Sequence, residues 1–222
     1  MAPTIATEDY LKTVFAMHTH GEAVTTTALA RRLGLSPPSV SAMLKRLTAE
    51  QLVERPAGRR VTLTPRGRQQ ALRVVRRHRL IETFLADVVG VPWDEVHAEA
   101  EVLEHAVSDR LEERIDAVLG HPTHDPHGDP IPPRSGAHHE SWSDPLATAH
   151  AGDHFRVERV SDRDSAALRY LAELGIKPGV VLEVTDWAPF GGPLWVRLDG
   201  QRHALGTALS HLVHGTVLRQ EP

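Results

Sequence analysis

Two segments of this chain place histidines and carboxylates at helical spacing. The residues are His78 and Glu82 in the first segment and, further along, His97, Glu101, Glu104 and His105 in the second. Residues three and four apart share one face of a helix, so each segment would present these groups on one stripe. Two such helices side by side can enclose a divalent cation. Nitrogen and oxygen ligands without sulfur are typical of manganese, iron(II), zinc or cobalt sites.

A charged, solvated face is the alternative interpretation of a single His/Glu pair, but six such residues in register favour a metal site. The sequence contains no cysteine, which excludes a disulfide framework and a thiolate zinc site. A metallohydrolase is the enzyme alternative. The chain lacks the HExxH pattern, because the nearest segment, from Glu101 to His105, supplies one histidine where that motif needs two. We therefore assign no catalytic residues and predict a protein that is not an enzyme.

The charge of the chain is distributed unevenly. The whole chain has a formal net charge of −4, whereas residues 1–72 carry ten Lys or Arg and five Asp or Glu, a net charge of +5. The remainder therefore carries −9. A basic N-terminal module favours a polyanionic partner, and an acidic body favours cation chemistry.

The order of predicted elements in the first third of the chain is that of a winged helix-turn-helix. These elements are helices over 7–18, over 26–34 and from residue 36, strands at 52–55 and 60–63, and a long helix from 64 to about 89. Thr7 and Ser36 are predicted N-caps, and Gly34 is predicted to end the second helix. The third helix would enter the major groove of double-stranded DNA.

Candidate DNA contacts lie on the third helix and at the tip of the wing. They are Ser36, Pro37, Pro38, Ser39, Ser41, Ala42, Lys45, Arg46, Arg59 and Arg60. Serine hydroxyls suit phosphates or bases, and proline or alanine suits a thymine methyl group. Arg59 and Arg60 are placed for phosphates or a minor groove.

The rest of the chain divides into three stretches. Helices are predicted over about 93–107 and over 108–118, with apolar residues that pack this region and whose excess could seat a second copy: Leu85, Val88, Val89, Val96, Leu103, Val107, Leu111 and Ile115. Residues 120–153 are rich in Gly, Pro and Asp, and their irregularly spaced histidines indicate a solvated linker: His121, His124, His127, His138, His139 and His150. Residues 154–222 read as short strands with one short helix, typical of a small SH3-like barrel.

Taken together, these residues resemble the diphtheria-toxin-repressor family of metal-dependent transcription regulators over nearly the whole chain. The most specific segments are 7–11, 78–82 and 96–105. The segment 125–132 resembles the family's loop after the metal helices, which implies a structural role for His127.

The resemblance implies two metal sites in each subunit. The primary, regulatory site maps to Asp9, Glu101, Glu104 and His105. The ancillary site maps to His78, Glu82 and His97, completed in some members from the SH3-like domain, where Asp162 and Asp164 lie nearest.

The ligand types indicate which metal to expect. Iron-responsive members carry Met and Cys where this chain has Asp9 and Glu101, so the chain resembles the manganese-responsive branch. Carboxylate oxygens suit Mn²⁺, with Fe²⁺ as the alternative. Some manganese regulators carry a glutamate three residues after the aspartate. This chain has Lys12 there, which argues against a closely spaced metal pair and for two separated sites.

The expected fold is mainly α with small β regions. The expected domains are a winged helix-turn-helix DNA-binding domain (1–72), a helical metal-binding and dimerisation domain (73–140), a linker (141–153) and an SH3-like, FeoA-like domain (154–222). No apolar run approaches the roughly 20 residues of a membrane span, and the early acidic residues are unlike a signal peptide. We therefore expect a soluble, cytoplasmic protein with no membrane partner.

The expected function is metal-dependent repression of metal-homeostasis genes. A homodimer would bind operator DNA, with Mn²⁺ or Fe²⁺ as the corepressor that fixes the two recognition helices. An iron-responsive regulator of the same fold and a metal-independent winged-helix regulator are the alternatives.

Overall fold

The computed structural model describes residues 4–55, 60–135, 138, 140 and 142–218. Within these ranges the helices are α1 (Ile5–Thr19), α2 (Thr26–Leu33), α3 (Pro37–Ala49), α4 (Pro65–Phe84), α5 (Val96–Leu103), α6 (Asp109–Val118), α7 (Ser165–Glu173) and α8 (Thr207–Ser210). The strands are β1 (Val53–Glu54), β2 (Thr62–Leu63), β3 (Asp144–Pro145), β4 (His154–Val160), β5 (Val181–Trp187), β6 (Leu194–Leu198), β7 (Gln201–Leu205) and β8 (Val213–Leu218).

The N-terminal helices begin at hydroxyl caps. Ser36 caps α3 as predicted, and Gly34 ends α2 in the left-handed conformation with φ +65°, also as predicted. The predicted cap of α1 was wrong. Thr4 accepts from the Thr7 backbone N–H, and Thr7 lies inside the helix, buried. The helix starts earlier than predicted because Ile5 and Ala6 are also helical, so the capping residue is the preceding threonine, Thr4.

A short wing follows α3 and lies directly on the start of α4. Strands β1 and β2 pair antiparallel, with Val53 opposite Leu63. The predicted turn at 56–59 lies outside the described residues. Gly67 allows the close approach, because a Cβ there would lie 1.9 Å from the Leu52 carbonyl oxygen.

The helical ligand segments agree with the prediction in type and differ in length. The long helix α4 carries His78 and Glu82 and continues into a π-helical turn, Leu85–Val89. The predicted helix over 93–107 is shorter at both ends and runs from Val96 to Leu103. Glu104 at its C-cap keeps helical dihedrals and donates its N–H to the Ala100 carbonyl oxygen at 2.9 Å, and the chain then turns at His105.

Residues 120–135 form a strap that packs against its neighbours over much of its length, whereas the sequence predicts a solvated linker. His127 is fully buried and His138 nearly so, which contradicts the expectation for these two histidines. His121, His124 and His150 are exposed as expected, and His139 lies outside the described residues. The Asp125 carboxylate accepts from the backbone N–H groups of His127 and Asp129, both at 2.9 Å. Gly128 lies against β4, where a Cβ would meet the Glu158 carbonyl oxygen at 2.0 Å.

The C-terminal domain is a six-stranded antiparallel sheet in the order β3-β8-β4-β5-β6-β7. Its interior is apolar and includes fully buried Leu146, which follows β3. Strand β3 pairs with β8 inside the segment for which the sequence predicts a linker, and β7 escaped prediction. Strand β3 pairs with the distant β8 and β7 pairs with its hairpin neighbour β6, so each short strand depends on its partner.

A buried ionic cluster joins the strap to both of its neighbours. Arg79 of α4 lies 2.9 Å from Glu140 and 3.1 Å from Asp129, and Arg159 of β4 contacts the same two carboxylates. Because all four side chains are largely removed from water, each charge depends on its partners. Within the described residues, no helix is long and apolar enough to cross a membrane.

Candidate metal centre and nucleic-acid interface

The first ligand group joins the N-terminal helix to the turn after α5. His105 Nε2 lies 2.9 Å from Asp9 Oδ1 and 3.4 Å from Glu104 Oε1. One donor atom from each of these residues fits within a 4.8 Å cluster. Glu104 is fully buried, whereas the Asp9 side chain is 38% exposed. The group therefore lies at the edge of the interior, with one ligand from the DNA-binding domain.

Glu8 supports this group and was missed in the sequence. Its Oε2 lies 2.8 Å from His105 Nδ1, on the side of the ring away from Asp9. When Nδ1–H donates to Glu8, Nε2 has its lone pair free for a cation, which is the usual carboxylate–histidine arrangement at metal sites. The only sequence signal for Glu8 was its adjacency to Asp9. That signal is weak, because neighbouring residues of a helix do not normally face the same point.

Glu101, the fourth predicted primary ligand, is turned elsewhere. Its Oε1 lies 2.7 Å from the Lys12 ammonium, and it clusters with His78 and Glu104 instead of with Asp9. His97, Glu101, Glu104 and His105 nevertheless adjoin one another, since His97 Nε2 lies 3.6 Å from Glu101 Oε1 and Glu104 shares one cluster with Glu101 and another with His105. The division differs from the expectation at Glu101, which pairs with Lys12 instead of joining Asp9.

The second ligand group contains two buried and two partly exposed side chains. His78 Nε2 lies 2.9 Å and His97 Nδ1 lies 3.0 Å from Glu82 Oε1. Asp162, which follows β4, approaches His97 Nδ1 at 3.1 Å. One donor atom from each of these four residues fits within a 4.8 Å cluster. This arrangement brings together α4, α5 and the C-terminal domain.

The second group holds protons strongly when no cation is present. Burial lowers the pKa of His78, but Glu82 and Glu104 outweigh burial and raise this pKa to about 9. Burial likewise opposes protonation of His97, whereas Asp162 and Glu82 raise its pKa to about 10. Burial alone would raise the pKa of Glu82, but the two imidazoles hold it well below its usual value. A divalent cation could take the place of these protons.

Asp164, the other predicted ancillary residue, has a different role. Its carboxylate accepts from the backbone N–H groups of Ala166 and Ala167, at 3.0 and 3.1 Å, and caps α7. It is absent from the ligand groups found among the described residues. The aspartate two positions earlier faces the histidines instead, because α7 begins immediately after Asp164.

Asp125 and His127 form a further buried group with Glu82. His127 Nε2–H donates to the Trp93 carbonyl oxygen at 2.8 Å, and Nδ1 lies 4.0 Å from Glu82 Oε2. Within the described part of the chain, this buried Nδ1 has no hydrogen-bond partner. Burial and then the Glu82 charge raise the pKa of Asp125 to about 7. Sequence analysis gave His127 only a structural role, since a linker-like composition surrounds it.

The candidate DNA-contacting residues lie on an open surface. The exposed ones are Ser36, Pro37, Pro38, Ser39, Ala42, Lys45, Arg46 and Arg60, with Ser41 half-buried. Val40, Leu44 and Leu47 turn the opposite face of α3 into the core. Arg59 lies outside the described residues. The Ser36 hydroxyl caps its own helix, and Arg46 pairs with Glu50 at 2.8 Å.

Models of three domain families match successive parts of the chain. They are the iron dependent repressor N-terminal DNA binding domain at residues 4–59, the iron dependent repressor metal binding and dimerisation domain at 64–133, and the FeoA domain at 145–216. A solved structure of a manganese-dependent transcriptional repressor in complex with manganese is 44% identical in sequence. That match has a TM-score of 0.89 and covers 95% of this chain and 99% of the other. The chain belongs to the diphtheria-toxin-repressor family.

Other members of this family respond to different metals. The structure of the manganese regulator SloR matches with a TM-score of 0.78 and 32% identity, covering 98% of this chain and 100% of SloR. The iron-dependent repressor IdeR of Mycobacterium leprae is 42% identical over 126 residues, which is 57% of this chain. The chain spans about half the length of the curated relatives it matches, 55% for this IdeR.

Proposed function

We propose that this protein is a metal-dependent transcriptional repressor that binds operator DNA when Mn²⁺ occupies its ligand groups. The observation that carries the proposal is the meeting of Asp9 with Glu104 and His105. Asp9 belongs to α1 of the DNA-binding domain, whereas the other two belong to the helical domain behind it. A cation shared by these side chains would hold the DNA-binding domain against the helical domain.

The donor sets support Mn²⁺ as the corepressor. Both groups offer imidazole nitrogen and carboxylate oxygen, and the sequence has no cysteine. Carboxylate-rich sites suit Mn²⁺ or Fe²⁺ better than the softer ions that prefer sulfur. Two solved relatives named for manganese add weight to this choice. Fe²⁺ is the second candidate, favoured by the 42% identity with an iron-dependent repressor.

We assign two separated sites to each subunit. Asp9, Glu104 and His105 would hold the primary ion, whereas Glu101, which the family resemblance also assigns to this site, pairs with Lys12. His78, Glu82, His97 and Asp162 would hold the ancillary ion. The bound ions would supply positive charge to these clusters. The buried His127 Nδ1, which has no hydrogen-bond partner among the described residues, and the Asp125 carboxyl lie close enough to Glu82 to influence the metal affinity of the ancillary site.

An exposed apolar surface on the helical domain supports a homodimer. The residues, each at least 49% exposed, are Val88, Val89, Val102, Leu111 and Val118. Several exposed large apolar side chains on the helical domain favour association with a second copy. Two recognition helices in a dimer would contact half-sites about one helical turn of DNA apart, or a multiple of it.

Residues of α3 would read the major groove, and Arg60 at the wing would contact phosphate or a minor groove. Clamping of α1 would fix the separation of the two α3 helices, which raises the population of the DNA-competent state. Operator DNA and the metal would then favour each other's binding reciprocally. We propose a regulator without catalytic activity that acts in the cytoplasm on metal-homeostasis genes.

The test is a mobility shift with DNA from upstream of the protein's own gene, using chelator-treated protein with and without Mn²⁺ or anaerobic Fe²⁺. We expect DNA affinity to rise with metal by about 5- to 150-fold, the usual range of coupling between two sites. Asp9→Ala should remove this rise. Asp186→Ala, which changes an exposed carboxylate of β5, is the matched control and should retain it. Equal DNA binding with metal and with chelator would instead support a metal-independent winged-helix regulator.

A further inference from the structure

Trp142, in the segment that leads into β3, lies between the DNA-binding domain and the C-terminal domain. The centroid of its ring is 4.5 Å from that of His20, the residue that ends α1. On the opposite side, the guanidinium carbon of Arg159 lies 3.9 Å from the Trp142 ring centroid, and the His214 ring packs edge-on at 4.4 Å. One indole ring therefore joins the end of α1 to strands β4 and β8.

The support of the indole on the C-terminal side is rigid. Arg159, which lies over the Trp142 ring, is only 4% exposed and contacts the carboxylates of Asp129 and Glu140. Moving this guanidinium away from its two partners would leave buried charges uncompensated, which is costly. The ring of Trp142 thus rests on a group that is itself fixed by buried ion pairs.

The contact on the other side is one of packing between uncharged rings. The Nδ1 atom of His20 lies 2.5 Å from the Ala16 carbonyl oxygen, which ties the imidazole to the last turn of α1. Burial lowers the pKa of His20, and the hydrogen bond to Ala16 does not offset this, so the imidazole is neutral at neutral pH. The buried indole N–H of Trp142 has no hydrogen-bond partner among the described residues. Ring packing, rather than a hydrogen bond, therefore makes this contact.

Helix α1 is consequently held at both of its ends. Asp9, near its start, belongs to the primary ligand group, and His20 contacts Trp142. Eleven residues separate these two points, which is about 16 Å along a helix. A helix held at one point can turn about that point, whereas two points this far apart fix its direction. Because α1 and α3 pack into one apolar core, the direction of α1 also fixes that of α3.

We propose that Trp142 is a positioning residue for DNA recognition, which anchors the end of α1 to the C-terminal domain independently of the metal. This inference rests on the proposed metal-dependent function. The metal would hold α1 at Asp9, and the indole would hold it at His20. Loss of the indole would lower the population of the DNA-competent arrangement even when both metal sites are filled.

The test measures the affinity of the full-length protein for labelled DNA from upstream of its own gene, by fluorescence anisotropy at saturating Mn²⁺. Trp142→Ala should lower this affinity by about tenfold, as expected for the loss of an aromatic contact. Native mass spectrometry should find as many bound Mn²⁺ ions as in the wild type. Trp142→Phe should restore most of the affinity, because a phenyl ring keeps the packing. Trp195→Ala, whose ring packs with Arg202 on the C-terminal sheet, is the matched control and should bind DNA as the wild type does.

His20→Ala removes the same contact from the side of α1, so the test does not depend on the folding of Trp142→Ala. It should cause a similar loss, and the double variant should lose no more than either single variant.

Wild-type DNA affinity in folded Trp142→Ala and His20→Ala, verified by circular dichroism, would overturn the proposal, as would an equal loss in Trp142→Phe. Fewer bound ions in Trp142→Ala would place the effect at the metal sites instead. Stronger DNA binding by Trp142→Ala would mean that the contact restrains the protein rather than positioning it. A wild type whose DNA binding ignores Mn²⁺ would overturn the proposed function itself, which is a different outcome from an unaffected Trp142→Ala.

Discussion

The two proposed metal sites adjoin each other but connect different domains. The primary group lies between the DNA-binding and helical domains, with Asp9 38% exposed, His105 11% exposed and Glu104 buried. The ancillary group is centred on Glu82, which is 1% exposed and receives two imidazoles. The two groups meet where Glu104 Oε2 of the first lies 2.5 Å from His78 Nδ1 of the second. Each group therefore combines buried and partly exposed side chains, since His97 and Asp162 of the ancillary group are 37% and 28% exposed, and the two groups differ in the domains that they join.

This contrast indicates different roles for the two sites. The primary group joins the DNA-binding domain to the helical domain, so its occupancy should change the position of α1. The ancillary group joins the helical domain to the C-terminal sheet through Asp162, so its occupancy should set how firmly that sheet is held. We therefore expect the first site to sense the metal and the second to stabilise the packing of the C-terminal sheet.

The largest expected effect comes from exchanging one imidazole in each site. His105→Gln should reduce metal-dependent DNA affinity by about 100-fold, near the top of the usual coupling range, because it breaks the link to Asp9. His97→Gln should reduce it by only about fivefold, at the bottom of that range. Fluorescence anisotropy with labelled operator DNA at saturating Mn²⁺ measures both. His150→Gln, at an exposed histidine, is the control. Equal losses in the first two variants would abolish the distinction between sensing and bracing.

The two sites should also differ in how their metal affinity depends on pH. In the ion-free protein the pKa of His78 is raised to about 9 and that of His97 to about 10, so both imidazoles are protonated between pH 6 and 8. Binding at the ancillary site must displace both protons. Its metal affinity should therefore fall about a hundredfold for each pH unit of acidification, tenfold for each proton.

Calorimetry of the His105→Gln variant in buffers of different ionisation enthalpy counts the protons released from the ancillary site. His97→Gln, titrated in the same way, reports the primary site, which contains one imidazole. We expect about two protons from the first variant and fewer from the second. The same proton count in both variants would contradict the assignment.

The smallest effect concerns the contact between the C-terminal domain and the DNA-binding domain. Arg163, next to Asp162, lies 3.1 Å from Glu22, and both side chains are about one-third exposed. Such pairs contribute up to about 1 kcal/mol, so Arg163→Gln should weaken DNA binding by less than about fivefold. Metal stoichiometry should not change, and the effect should shrink at high salt.

A double-mutant cycle with Glu22→Gln isolates this pair. The double variant should lose no more affinity than either single variant. If Arg163→Gln instead loses the ancillary ion, the residue serves the metal site itself rather than the domain contact.

Much of this molecule was predictable from local sequence. The cap at Ser36, the end of α2 at Gly34 and the inward face of α3 depend on neighbouring residues only, and the structure agrees at each. Predictions failed where contacts between residues distant in the sequence determine the local structure or the burial of a side chain. The short strands β3 and β7 form only against their sheet partners, and His127 is buried because β4 and Trp93 close over the strap.

The sequence by itself determined the kind of ligand available, because histidines and carboxylates at spacings of three and four, without cysteine, predict a nitrogen–oxygen metal site. It could not determine how those residues are divided. The tertiary structure placed Glu104 between two clusters, directed Glu101 to Lys12, and brought Asp162 instead of the helix-capping Asp164 to His97. The physical reason is that residue types and helical periodicity are local properties. Which side chains share a cation depends instead on where helices end and how separate domains pack.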